Sequence, residues 1–182
     1  MGPHKPQLIN FAPWPGKLPR LYYKCMKHII HILRVVLILA VCQLPALIST
    51  PFVDPNMAWY HTLAHPPLVP PDAVFGMMWG ILYILLGISA VLVFHRGVDE
   101  SRQFAAWLLG VQLLLNACWT PVFFGMHNIS LALAVVVLML AEGFFMHRAF
   151  AKQSRWAAVL LWPYWLWLMF ATYLTAGFML LN

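Results

Sequence analysis

Residues 73–94 read AVFGMMWGILYILLGISAVLVF and contain no charged side chain. An α-helix rises 1.5 Å per residue, so about 20 apolar residues are enough to cross a hydrocarbon core of roughly 30 Å. This stretch therefore predicts a transmembrane helix.

Four further runs have the same length and character. Three of them carry no charge, and the remaining one contains a single acid, Glu142. Arg34 precedes the first run, where a long side chain reaches the lipid headgroups. The runs cover residues 35–53, 104–126, 129–147 and 157–181. Together with 73–94 they predict an all-α membrane protein, a bundle of five transmembrane helices.

The composition excludes other classes of protein. Of the 182 residues, 63% are apolar and 9% are charged. Soluble domains carry about 25% charged residues, so this chain could not cover a water-exposed surface. Disordered chains combine low hydrophobicity with high net charge, which is also not the case here.

The basic residues predict the orientation in the membrane. All 11 Lys and Arg residues fall in the first 34 residues, the second loop and the fourth loop, and only Asp54 and Asp72 mark the opposite side. Positive charge concentrates on the cytoplasmic side. We therefore expect a cytoplasmic N-terminus and a C-terminus on the other side. Anionic lipid accounts for the net charge of +6, and nucleic acid is not needed as a partner.

Two regions are expected along the chain. Residues 1–34 are a basic, Pro-containing cytoplasmic extension, and residues 35–182 form the membrane domain. No organellar transit peptide is evident, so a bacterial cytoplasmic membrane is the expected location.

The first loop, residues 50–72, reads TPFVDPNMAWYHTLAHPPLVPPD. Its prolines restrict the backbone, and Trp59 and Tyr60 supply apolar anchors. One interpretation is a rigid cap over one end of the bundle, with a helical turn around residues 57–64. The alternative is an interfacial aromatic belt.

Polar groups within the spans are candidates for function, although helix–helix hydrogen bonds are the commoner explanation. Gln112, Asn116 and Trp119 share one face of the third span. Glu142 lies about one turn from the basic end of its helix. For Glu142 the simplest expectation is that its side chain extends to the interface.

Aromatic and small residues suggest either a ligand cavity or close packing. Trp79 and Tyr83 share a face of the second span, and Trp167, Ala171 and Thr175 form a stripe on the fifth. A second feature of the same kind is the GxxxG step of Gly76 and Gly80, a weak signal for dimerisation or close packing.

No metal site or required cofactor is predicted. The pairs His28/His31 and His61/His65 have suitable spacing, but no Cys or carboxylate completes either set. The three cysteines stand alone, and no nucleotide-binding or hydrolase motif occurs.

Three strings resemble the TspO/MBR family, the translocator proteins also called tryptophan-rich sensory proteins or peripheral-type benzodiazepine receptors. They are WYHTLAHPPLVPPDAVFGMMWGILY (59–83), QLLLNACWTPVFFG (112–125) and WPYWLWLMFATYLTAGFMLLN (162–182). The resemblance implies a five-helix bundle, often a homodimer, that binds tetrapyrroles such as protoporphyrin IX or haem beneath the first loop.

The resemblance also implies site residues. Trp79 and Trp167 match pocket tryptophans that some bacterial members are thought to need for light-driven porphyrin breakdown. Asn116 and Ala171 match ligand-contacting positions. With the aromatic residues noted above, the expected ligand-binding set is Trp59, Tyr60, Trp79, Tyr83, Asn116, Trp119, Trp167 and Ala171.

The chain also departs from the family pattern. Val135 stands where many members carry Asp, and Glu142 lies two turns further along that face. No Lys or Arg follows Tyr173 within five residues, so the sterol motif of animal members is absent and sterol transport is not expected.

The expected function is sensing, sequestration or transport of porphyrins, with a role in stress regulation. Two alternatives stay open. The first is a light-dependent porphyrin-degrading enzyme with Trp79 and Trp167 as catalytic candidates. The second is a membrane interaction partner without a ligand of its own.

Overall fold

A computed structural model describes residues 20–95 and 97–182, with side chains described from residue 24 onward. Within these ranges the chain is helical and has no β-strand. The α-helices are α1 (Arg20–Val53), α2 (Met57–Tyr60), α3 (Asp72–Phe94), α4 (Glu100–Thr120), α5 (Ile129–Gln153), α6 (Arg155–Leu160) and α7 (Trp162–Leu181). A 3₁₀ turn covers Asp54–Asn56, and a π-helical turn covers Pro121–Gly125. Predictions made for residues 1–19 and for Arg96 lie outside the described residues.

Within residues 20–95 and 97–182, five helical segments are long and apolar enough to cross a membrane, which confirms the predicted number of spans. They are Lys24–Tyr60, Asp72–Phe94, Glu100–Gly125, Ile129–Gln153 and Arg155–Leu181.

The ends of the spans differ from the sequence prediction at two places. Helix α1 begins at Arg20, well before residue 35, because no Gly or Pro interrupts residues 20–34. The fifth span is divided at Leu161 into α6 and α7. Pro163 lies in the first turn of α7, where its missing N–H breaks no hydrogen bond of that helix.

Helix α3 packs mainly against α1 and α6. Its Leu82, Leu86 and Ala90 are fully buried. The Ser89 hydroxyl donates a 2.8 Å hydrogen bond to the main-chain oxygen of Ala157 and so ties α3 to α6. Helix α1, in contrast, leaves most of its apolar side chains exposed, as a helix in contact with lipid does.

The loop between α3 and α4 lies outside the spans. Asp99 caps α4 by accepting a 3.1 Å hydrogen bond from the main-chain N–H of Arg102. The hydrogen bond from the Ser101 hydroxyl, followed by the nearby Arg102 charge, lowers the pKa of the Asp99 carboxyl. This loop is at the end of the bundle opposite the first loop.

Candidate ligand-binding cavity

Helices α1 and α3 touch at one level and leave space at another. A Cβ atom added to Gly87 would lie 3.0 Å from Leu39 Cδ2, so the two helices are in close contact there. Cβ atoms added to Gly76 and Gly80 would meet no atom within 4 Å. Within the described chain, the GxxxG step therefore borders open space instead of a close helix contact.

The open space is a cavity of about 320 Å³, within the size range of small-molecule sites. Residues from α1, α3, the α4 end with its π-turn, and α7 line it, and Met139 contributes from α5. Most of the large lining side chains are aromatic: Tyr60, Phe75, Trp79, Tyr83, Trp119, Phe123, Phe124 and Phe178. The site is thus mainly apolar, with a few polar groups.

The aromatic rings pack against one another. The ring centroids of Trp79 and Tyr83 are 5.5 Å apart with 30° between the planes. Trp119 and Phe123 are stacked with their centroids 5.1 Å apart. Such contacts hold the rings in place, so a flat ligand would meet a preformed aromatic wall.

Tyr60 connects the first loop to the cavity. Its ring lies 5.5 Å from Phe178 on α7 and 5.8 Å from Phe124 in the π-turn. Trp59 points elsewhere: it stacks on His127 with a centroid distance of 4.0 Å, and His127 Nε2 lies 2.9 Å from Asn56 Oδ1. Trp59 therefore fixes the start of the loop, whereas Tyr60 forms part of the cavity wall.

The rest of the first loop is fastened to α7. The Asn182 side chain accepts a hydrogen bond from the Ala64 N–H at 2.9 Å and donates one to the Ala64 oxygen at 3.1 Å. Buried Pro66 lies against Gly177, where an added Cβ would come within 2.5 Å of Pro66 Cβ. We call residues 61–71, held in this way over the end of α7, the cap.

A chain of hydrogen bonds begins at the cavity wall. The Tyr83 hydroxyl donates to Asn116 Oδ1 at 3.3 Å. Asn116 Nδ2 donates to the main-chain oxygen of Gln112 and to the Tyr164 hydroxyl, both at 2.7 Å. Because a main-chain oxygen can only accept, the orientation of the Asn116 amide is fixed.

The chain continues away from the cavity to Glu142. With its oxygen toward Tyr164, the Gln112 amide accepts from the Tyr164 hydroxyl at 2.6 Å, and its nitrogen donates to the Met139 oxygen at 3.2 Å and to Glu142 Oε2. Glu142 Oε1 is buried and has no hydrogen-bond partner among the described residues. The expectation that Glu142 extends to the interface is therefore wrong, because α4 supplies an inward amide donor.

Six of the eight residues expected at the site line the cavity. They are Tyr60, Trp79, Tyr83, Asn116, Trp119 and Ala171. Trp59 and Trp167 do not. The ring centroids of Trp167 and Phe75 are 5.7 Å apart, so Trp167 packs against a residue of the cavity lining. The Trp167 Nε1 is buried and has no hydrogen-bond partner in the described part of the chain.

Several lining residues were absent from the sequence-based set. Thr175 belongs to the predicted stripe on α7, and the GxxxG step of Gly76 and Gly80 predicts dimerisation or close packing and not a cavity wall. Phe123 and Phe124 had a local signal in Pro121, because a π-helical turn follows it and such turns change which side chains face inward. Phe75 and Phe178 carried no signal that separated them from ordinary core residues.

The histidine pair of the first loop makes other contacts. His61 Nε2 lies 3.4 Å from Asp72 Oδ2, and His65 Nε2 lies 3.4 Å from the Tyr60 oxygen. In the described part of the chain, no three His, Cys, Asp or Glu residues are grouped to hold a metal ion.

Comparison with known proteins finds similar sequences, all from one family, in several organisms. The model of the TspO/MBR family matches residues 35–181. The chain is 38% identical over 145 residues to the tryptophan-rich sensory protein of Cereibacter sphaeroides, covering 79% of this chain and 88% of that protein. It is 33% identical over 153 residues to the tryptophan-rich protein TspO of Chlorobaculum tepidum (83% and 97% covered). The human translocator protein is 36% identical over 119 residues (64% and 70% covered).

Five apolar helices around an aromatic cavity define a multi-pass integral membrane protein with a candidate small-molecule site. The chain belongs to the TspO/MBR family.

Proposed function

We propose that this protein binds a tetrapyrrole, protoporphyrin IX or haem, in the cavity between α1 and α3. The observation that carries the proposal is the aromatic lining, in which Trp79 and Tyr83 stack on each other beside open space at Gly76 and Gly80. A flat macrocycle gains contact area and stacking energy on such a wall. No cofactor is needed for binding itself.

The macrocycle lies with one face against the Trp79 ring, and part of it extends into the gap between α1 and α3. Asn116 and Tyr83 offer polar contacts at the deep end, and Tyr60 covers the ligand from the first loop. Ala171 keeps the α7 side of the cavity free, since a larger side chain there would fill it.

Replacing Trp79 with Phe tests the role of stacking. The smaller ring keeps the cavity apolar but removes part of the contact surface, so the dissociation constant for protoporphyrin IX rises about tenfold. Trp107→Phe is the matched control, because Trp107 is 62% exposed and stacks only on Phe104, away from the cavity. Titration of each purified variant, followed by tryptophan fluorescence, measures this. Equal affinities for the two variants would remove Trp79 from the site.

Sensing, sequestration and transport of a porphyrin each require that the protein binds it. Relatives carry the names "tryptophan-rich sensory protein" and "translocator protein". We propose further that the end bearing Lys24, Arg102 and Arg155 faces the cytoplasm of a bacterial inner membrane, which puts the cap on the other side. The expected partners are the porphyrin, the lipid bilayer and a second copy of the chain in a homodimer.

Light-dependent degradation of the bound porphyrin is the second candidate function. Trp79 supports it because the indole stacks on Tyr83 and lies 6.5 Å from Tyr164, so oxidisable rings adjoin the cavity. Illumination in oxygenated buffer then gives a new absorbing product that disappears in Trp79→Phe. Trp167→Phe slows the reaction less, because Phe75 separates Trp167 from the cavity. An unchanged porphyrin spectrum under light would contradict this function.

A further inference from the structure

The charged groups at the cavity are all acidic. Asp54 and Asp72 are part of its lining, and no Lys or Arg of the described chain is. The described basic residues belong to the start of α1 and to the α3–α4 and α5–α6 regions at the other end of the bundle. A positive ligand would therefore be attracted to the acids of this lining.

The aromatic lining favours the same charge. The cavity lining that contains the two acids also contains the rings of Tyr60, Phe75, Trp79, Phe123 and Phe178. Aromatic faces carry partial negative charge and attract organic cations, more strongly where water is excluded. The aromatic faces and the two exposed acids of this lining combine both means of holding such a cation.

The hydroxyl groups add to this preference. Tyr83 donates its proton to Asn116, Ser49 donates to Thr120 at 2.9 Å, and Thr175 donates to the Ala171 oxygen at 2.8 Å. Each hydroxyl has one proton, so these lining groups can offer only their oxygen lone pairs to a ligand. Oxygen lone pairs interact well with an N–H donor or a cation and poorly with an anion.

His61 can compete with a ligand for Asp72, because its Nε2 lies 3.4 Å from Asp72 Oδ2. His61 is exposed and does not line the cavity. Asp54 has no such neighbour among the ion pairs of the described residues. At least one acid of the cavity is therefore available to a ligand.

We propose that the cavity is a binding site for lipophilic organic cations, such as aromatic amines in their protonated form and quaternary onium ions. This ligand class is opposite in charge to a porphyrin dicarboxylate, and the inference does not depend on tetrapyrrole binding. It rests on the acids and the aromatic faces that line one cavity.

The test compares two ions of nearly the same shape and opposite charge. Tetraphenylphosphonium and tetraphenylborate are each measured by equilibrium dialysis against the protein in lipid nanodiscs, with empty nanodiscs subtracted. The proposal predicts saturable binding of the phosphonium and none of the borate. Saturable binding of the borate with equal affinity, or no saturable binding of the phosphonium, would overturn it.

Removal of the acids locates the site. Asp54→Asn with Asp72→Asn weakens phosphonium binding about tenfold or more, and each single variant weakens it partly. Asp99→Asn is the matched control: it removes one acid in the exposed α3–α4 loop, far along the chain from the cavity, and asparagine still caps a helix. Unchanged affinity in the double variant would overturn the assignment.

Circular dichroism and the elution profile of each variant confirm that the helices and the assembly are intact, and the single variants serve if the double variant does not fold. Protoporphyrin IX is titrated in parallel. Cation binding without porphyrin binding would overturn the proposed function alone, and porphyrin binding without cation binding would overturn this inference alone.

Discussion

Glu142 shows how one side chain in the membrane is held inward. The Gln112 amide on α4 donates to its carboxyl group, and Tyr164 and Asn116 continue the chain to the cavity wall. Each N–H or O–H proton in this chain has its own acceptor, so these side chains have one preferred orientation.

Replacing Glu142 with Leu leaves the Gln112 amide without its carboxyl acceptor. We expect the free energy of unfolding to fall by about 1 kcal/mol, because interhelical hydrogen bonds in membranes have roughly this value. Glu142→Gln keeps an acceptor oxygen of the same reach, so its stability stays near that of the wild type. Thermal unfolding in detergent measures both, and a Leu variant as stable as the Gln variant would contradict the role of the pair.

At this scale the sequence predicts only part of the site. Trp79, Tyr83 and Asn116 could be predicted because their helices are regular and place them on one face. Trp167 has the right spacing to Ala171 as well, but Phe75 from α3 occupies the space in front of it. The spacing of residues within one helix does not show which side chain of a neighbouring helix will line the cavity.

The cap connects two residues of the cavity lining, Tyr60 and Asp72, and is fastened to α7. Asn182 binds the Ala64 main chain, the Tyr173 hydroxyl donates to the Pro67 oxygen at 3.0 Å, and Pro66 fits against Gly177. These contacts are at the last turns of α7. The cap therefore moves only if it separates from that helix end.

The substitution Gly177→Ala is expected to separate the cap from the end of α7. The added Cβ would come within 2.5 Å of Pro66 Cβ, and the proline ring cannot bend away as a flexible side chain would. Hydrogen exchange in the cap is expected to become faster, and bound porphyrin to dissociate about tenfold faster. Gly110→Ala is the control, since an added Cβ there meets no atom within 4 Å. Equal exchange rates in the two variants would show that Pro66 does not hold the cap.

The spans could be predicted from the sequence because a lipid bilayer requires continuous apolar helices, and residues 73–94 and the four other apolar runs satisfy that requirement. The turn at Pro121–Gly125 was not readable, since a π-helical turn breaks the period on which face assignments depend. Its Phe123 and Phe124 are buried at the cavity, and no spacing rule for α-helices predicts them.

At the scale of the whole molecule, the cavity arises where α1 departs from α3. Gly87 lets the two helices touch, and Gly76 and Gly80 border the space beyond. The acids and the aromatic rings are at this end, and the described Lys and Arg residues are at the other. In the described chain, the cavity is thus at one end of the bundle and the basic residues are at the other.

Filling the cavity tests the central claim most directly. Gly80→Leu places a side chain in the open space between α1 and α3, and Gly110→Leu adds the same side chain at an exposed position where nothing lies within 4 Å. Protoporphyrin IX is titrated against both variants and the wild type, with thermal unfolding as the check on folding. We predict about tenfold or weaker binding for Gly80→Leu, and wild-type affinity for Gly110→Leu. Wild-type affinity in a folded Gly80→Leu protein would show that the tetrapyrrole binds elsewhere.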